Sequence, residues 1–151
     1  MIGAALMLAA QAIAPEAAAE LFMDLCAAGM RNPARFEAAA ARQNFARVEE
    51  RGRGALYRSG DTFVTFTAGD QCKLDVRLAD EGGAVRAIAD VSARLDLAAP
   101  RAIAMHPPGW NRYRWPIVEG ERPRFYLAAR TISDQQGPVS LELSIHAGPG
   151  Q

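Results

Sequence analysis

Of the seventeen lysines and arginines in this 151-residue chain, only Lys73 is a lysine, so sixteen are arginines. Arginine prefers bidentate contacts with carboxylates and phosphates, but codon bias in a GC-rich genome gives the same skew and also explains the abundant alanine. Positive charge is not in excess: seventeen Asp and Glu balance it, and the sequence pI is about 6.7. A general nucleic-acid binder carries a clear basic surplus, so no nucleic-acid partner is expected.

Histidine is equally scarce. His106 and His146 are the only two, and no H-x-x-H or H-E-x-x-H pairs them for a metal. No G-x-S-x-G places a nucleophile, and no glycine-rich loop cradles a phosphate. The acids in "SGDT", "AGDQ" and "SDQQG" read as turn formers. Neither a catalytic residue, a metal site nor a cofactor is therefore nominated. The two cysteines form no C-x-x-C, which argues against a thiol oxidoreductase.

No apolar run approaches the ~20 residues that span a bilayer, so no transmembrane span is expected in the mature chain. The start is nonetheless apolar: from Ile2 to Ala10 nothing is charged, and Glu16 is the first charged side chain. That run has the length of a signal h-region, and Ala10-Gln11-Ala12 fits the small-x-small cleavage pattern. Only a lysine or arginine near Met1 is missing. Residues 1–12 are thus read as a signal peptide, 13–147 as one domain and 148–151 as a loose tail. An alanine-rich helix start in a cytosolic protein is the alternative. Asp24 and Leu25 before Cys26 exclude a lipobox.

What is present is half apolar and about a quarter charged, the composition of a folded domain. Pro15 suits the first position of a helix, with Glu16 and Glu20 near its positive end and Gly29 as its stop. Leu21, Phe22, Leu25 and Cys26 then share one inward stripe. In "QCKLDVRLAD", Cys72, Leu74, Val76 and Leu78 alternate with Lys73, Asp75 and Arg77, the pattern of a half-buried strand. Two lone cysteines on two core-facing surfaces of an exported chain predict a Cys26–Cys72 disulfide.

A second helix is expected from Asn32-Pro33 to about Phe45, with Phe36, Ala39 and Ala40 inward. "RGRG" at 51–54 reads as a loose connection. Strands "ALYRS" and "TFVTFT" then lead to the Cys72 strand through turns at 59–61 and 68–70. A third helix follows Gly82-Gly83, with Val85, Ile88, Val91 and Leu95 inward and Arg86, Asp90 and Arg94 outward. "RAIAMHPPG" reads as irregular, and three more strands are expected near 113–118, 124–132 and 139–147. The predicted fold is α+β: a mainly antiparallel sheet of five or six strands, two or three helices on one face, and one helix-to-strand disulfide. The layout reads as a helix plus three strands, twice over. "FVTFTAGDQCKLDV" and "FYLAARTISDQQGPVSLEL" are a faint echo of each other.

The densest functional chemistry lies in "HPPGWNRYRWP", residues 106–116. Alternation puts Tyr113, Trp115 and Ile117 on one face, the core, and Arg112 and Arg114 on the other. His106, Trp110 and Asn111 are assigned to a loop. Trp110 flanked by arginines suits an anionic group or a stacked ring. From Arg101 to Arg130 six arginines face Glu119 and Glu121, a local +4. The candidate contact surface is therefore His106, Trp110, Arg112 and Arg114, for an unidentified protein or an anionic ligand. The expected function is that of a small exported bacterial protein, periplasmic or secreted, that binds without catalysis. An inhibitor of a periplasmic hydrolase and a small hydrolase using a histidine are the alternatives.

Intact mass without reductant tests the localisation and the crosslink together. Protein recovered from expressing cells is expected to lack residues 1–12 and two hydrogens; a full-length chain with two free thiols would defeat both.

Overall fold

The computed structural model describes residues 12–104, 109–115, 125–133 and 138–148. The predicted signal residues 1–11, His106 and the tail from 149 lie outside them. The fold is α+β, with three helices on one face of an antiparallel sheet. That sheet has eight strands rather than five or six: β1 (Ala46–Arg51), β2 (Gly54–Ser59), β3 (Thr62–Thr67), β4 (Gln71–Leu78), β5 (Arg101–Ala104), β6 (Trp110–Arg114), β7 (Phe125–Ile132) and β8 (Val139–Ala147). The order is β1-β2-β3-β4-β8-β7-β6-β5. Each half of the chain contributes helix and then a four-stranded meander. The two meanders meet where β4 pairs with β8 over eight consecutive residue pairs, Gln71↔His146 to Leu78↔Val139. The sequence echo falls on topologically equivalent hairpins, β3–β4 and β7–β8.

The two additional strands are the sheet's edges. All six residues of β1, "ARVEER", are exposed, so it shows none of the alternation that a buried face imposes. Its edge carries ion pairs, Arg47–Glu50 at 2.9 Å and Arg51–Glu49 at 3.4 Å, and a register irregularity between Arg47 and Glu49. Both features discourage pairing with another chain. β5 has four residues and, among the described residues, pairs only with β6. "RGRG" is not a loose connection. Gly52 and Arg53 form the turn of the β1–β2 hairpin, with Gly52 at φ 58°.

The first helix begins at Pro15 as expected, α-helical over Pro15–Leu21, π-helical over Phe22–Ala27 and α-helical again over Ala28–Arg31. Gly29 does not stop it. A Cβ there would lie 2.8 Å from the Cβ of Phe36, so the glycine permits close contact with the next helix. The helix ends instead at Asn32, whose Oδ1 accepts from the Ala34 N–H at 3.1 Å and caps the second helix, Pro33–Arg42. Phe36 from that helix stacks on Phe66 at 3.9 Å and meets Tyr57 edge-on at 5.0 Å.

The third helix, Glu81–Arg94, is capped by Asp80, whose Oδ1 accepts from the Gly83 N–H at 2.7 Å. Its inward stripe is Ala84, Ala87, Ile88 and Val91. Val85 points out, 46% exposed, because it lies one residue around the helix from the stripe's centre. Arg86 and Arg94 are outward as expected, whereas Asp90 is half-buried, its Oδ2 3.2 Å from Arg94 Nε.

Cys26 and Cys72 are both fully buried and joined, their Cα atoms 5.2 Å apart across 46 residues. The bond fixes the first helix against β4, the strand on which the first half meets the second. Trp115 is buried just past β6, and its indole N–H donates to Ser92 Oγ at 2.7 Å, tying the second half to the third helix. Replacing both cysteines by alanine should lower stability by about 4 kcal/mol, the loop-entropy value for a closed loop of this size. Urea unfolding measures it; a loss below about 1 kcal/mol would mean that packing alone holds the helix.

Candidate binding site on the open sheet face

All three helices cover the face bearing Cys72, Leu74, Val76 and Leu78. On the other face, pairing register aligns side chains into rows across the strands. One row runs Ile103–Arg112–Arg130–Glu142–Asp75–Phe63, and the next Arg101–Arg114–Ala128–Ser144–Lys73–Thr65. Beyond these, Tyr126 pairs with His146 on one side and Trp110 with Ile132 on the other.

The second row dips. Ala128 and Ser144 are small, and Ser144 turns its hydroxyl to the Ala128 carbonyl at 3.3 Å. A cavity of about 470 Å³ opens above them, walled by Arg112, Arg114, Arg130, Tyr126, Glu142 and His146. Glu142 holds one wall in place: Arg130 reaches it at 2.8 Å and Lys73 at 3.9 Å. The Arg130 guanidinium also lies over Trp110, 5.3 Å from the ring centre. Two donors on the wall have no hydrogen-bond partner among the described residues, Arg130 Nε and the Tyr126 hydroxyl, and both atoms are buried. Buried donors of this kind cost free energy until an acceptor meets them.

Asp75, directly opposite Glu142 on the neighbouring strand, is the most perturbed acid of the face. Burial lifts it from 3.8 to about 6; Glu142 adds to the rise, and Lys73, Arg130 and Arg51 oppose it. On the helical face, burial and then Glu81 raise Tyr113, while a hydrogen bond with Thr131 lowers it. Among the described residues no cluster of three or more His, Cys, Asp or Glu is arranged to hold a metal. None of the described helices is long and apolar enough to cross a membrane.

Of the four residues nominated from sequence, Arg112 and Arg114 line this cavity, while Trp110 stands beside it under Arg130. Trp110 and Asn111 belong to β6 rather than to a loop, which gives their side chains fixed and opposite faces. His106 is outside the described residues. The separation of Tyr113 and Trp115 from Arg112 and Arg114 holds: Trp115 is buried and Arg114 exposed. Sequence reasoning did not find Arg130, Tyr126, Ala128, Ser144 and His146. Their strands had been recognised, but nothing local shows that β7 and β8 lie beside β6. Comparison of the chain with protein-family models, with curated proteins and with solved structures gives no match.

Asp75 should make stability fall as pH rises. Its folded pKa lies above the unfolded one, so the folded state binds the extra proton between about pH 4 and 6. The stabilisation is full below that window and lost as pH rises through about 6. Relative to Asp75→Asn, the wild type should lose on the order of 2–3 kcal/mol between pH 4 and 7. Parallel urea curves for the two proteins at both pH values measure this, and an unchanged difference would refute the burial of an ionisable Asp75.

Proposed function

We propose that this is an exported, non-enzymatic protein that binds a small anionic ligand in the open-face cavity, through Arg112, Arg114 and Arg130. The observation that carries the reading is the pair of buried, unpartnered donors, Tyr126 Oη and Arg130 Nε, on the wall of a cavity ringed by arginines. A carboxylate or phosphate would supply the acceptors that these donors lack, and arginine's planar fork suits either group. His146, paired with Tyr126 on the neighbouring strand, offers a further ring N–H donor. A ligand seated on β6, β7 and β8 would be held by backbone that is already paired, so little ordering cost attends binding.

Export is supported separately. A disulfide between two fully buried cysteines suits an oxidising compartment. The Ile13 N–H donates to the Arg77 carbonyl at 2.9 Å, so the chain is tied to the sheet from the first residue left by cleavage after Ala12.

Citrate and inorganic phosphate, titrated at low salt and followed by amide chemical shifts, test the binding. Shifts should centre on β6 to β8. Affinity should fall about tenfold or more in Arg112→Ala and Arg114→Ala, as lost charged hydrogen bonds do. Ala128→Phe keeps every charge and fills the floor; it should bind at least as poorly. Unchanged affinity in Ala128→Phe, with the fold retained, would remove the cavity from consideration.

A further inference from the structure

Along β6 and β7 the arginine-walled cavity gives way to apolar surface on the same face. Trp110 and Ile132 are directly paired, and both are half-buried. Ile103, paired with Arg112 at the sheet edge, is 41% exposed, one of three large apolar side chains so exposed among the described residues. Trp110 and Ile132 lie one row beyond Arg112 and Arg130, away from Tyr126 and His146, and Ile103 flanks them at the edge, level with Arg112; together Ile103, Trp110 and Ile132 make an apolar shelf. From Ala128 to Ile132 is four residues of extended strand, ~13 Å. Arg130 links the two regions, its guanidinium on the Trp110 ring and its end on Glu142.

Such a surface mismatches a purely polar anion, which would leave the shelf in water. It also mismatches a neutral lipid, which would leave the cavity's donors unmet. We infer that the natural ligand is a single-chain amphiphile, with a carboxylate or phosphate head in the cavity and an aliphatic chain laid across Ile103, Trp110 and Ile132. The inference rests on the anion-binding reading above and adds the ligand's second half. The chain does not enter a closed core; it covers one side of the shelf and leaves its own outer side exposed. Each methylene therefore contributes less than the roughly fourfold affinity gain of full burial.

Calorimetric titration of the full chain with acetate, octanoate and dodecanoate, each kept monomeric, tests this. Affinity should rise about tenfold or more from octanoate to dodecanoate, at about twofold per methylene. Ile103→Ser together with Ile132→Ser should flatten that rise; Arg112→Ala should weaken every member of the series while preserving its slope. Binding of phosphate and citrate with no dependence on chain length would overturn the amphiphile and leave the anion site standing. Failure of every probe would overturn both. Cosedimentation with phosphatidylglycerol vesicles, with no response to monomeric dodecanoate, would place the occupant in a membrane and likewise overturn the proposal.

Discussion

The structure depends first on the pairing of β4 with β8. Each half of the chain builds only a four-stranded meander with its own helix or helices, and the last strand of each, β4 and β8, has an open edge until the other supplies a neighbour. Eight consecutive residue pairs close that seam. They bring Leu74 against Leu143 and Val76 against Leu141, all buried under the helices. Loss of the seam would uncover two sheet edges at once, rich in Val, Ile and Leu, the kind of edge that pairs indiscriminately. The disulfide acts on this same strand. Cys72 is paired with Ile145 across the seam, so tethering Cys26 to it clamps the first helix onto the junction of the halves.

The one-sided helical layer also explains why the other face can be so polar. Apolar burial is concentrated beneath the helices, in Phe22, Phe36, Leu25, Leu74, Leu141 and Leu143 among others. The open face is then free to carry charge, yet it is not simply a wetted surface. Thr65 and Ser144 are nearly inaccessible there, although the helices pack on the opposite face. In that partly dry setting electrostatic terms grow. The lift of Asp75 is the sign of it: a carboxyl flanked by a lysine and an arginine still titrates high, because desolvation and Glu142 outweigh both cations.

How far the sequence disclosed this arrangement depended on how many faces each segment buries. Strands β4 and β8 bury one face along their whole length, and their alternation reads directly as Cys72-Leu74-Val76-Leu78 and Leu141-Leu143-Ile145. The Cys26–Cys72 bond followed from that alternation and from the helical stripe around Cys26. Edge strand β1 buries neither face, so "ARVEER" carries no periodic signal, and β5 is too short to carry one. Trp110 looked like loop because prolines and Gly109 precede it. Its place in β6 is set by pairing with Ile132 and by the Gly109 carbonyl, which accepts from the Ser133 N–H at 3.0 Å. A binding site built across three strands depends on strand order, and strand order is a long-range property. Arg112 and Arg114 could be named from their own neighbourhood. Arg130 and His146 could not, being separated from them in sequence and joined only by register.

Glu142 shows how the site and the fold constrain each other. It sits on the seam strand, opposite Asp75, and receives Arg130 from one side and Lys73 from the other. An acid inside an anion site cancels one cation's charge. Its effect is positional. Without it, a long guanidinium on a half-exposed strand would sample many rotamers, and binding would carry that entropy cost. Held by Glu142 at its end and by Trp110 against its face, the Arg130 group is fixed with Nε left unsatisfied at the cavity wall. The two more peripheral arginines, Arg112 and Arg114, then provide the net charge that Glu142 has cancelled at Arg130. A carboxylate at this one position therefore trades some attraction for geometry, which is the exchange a shallow site on an uncovered sheet requires.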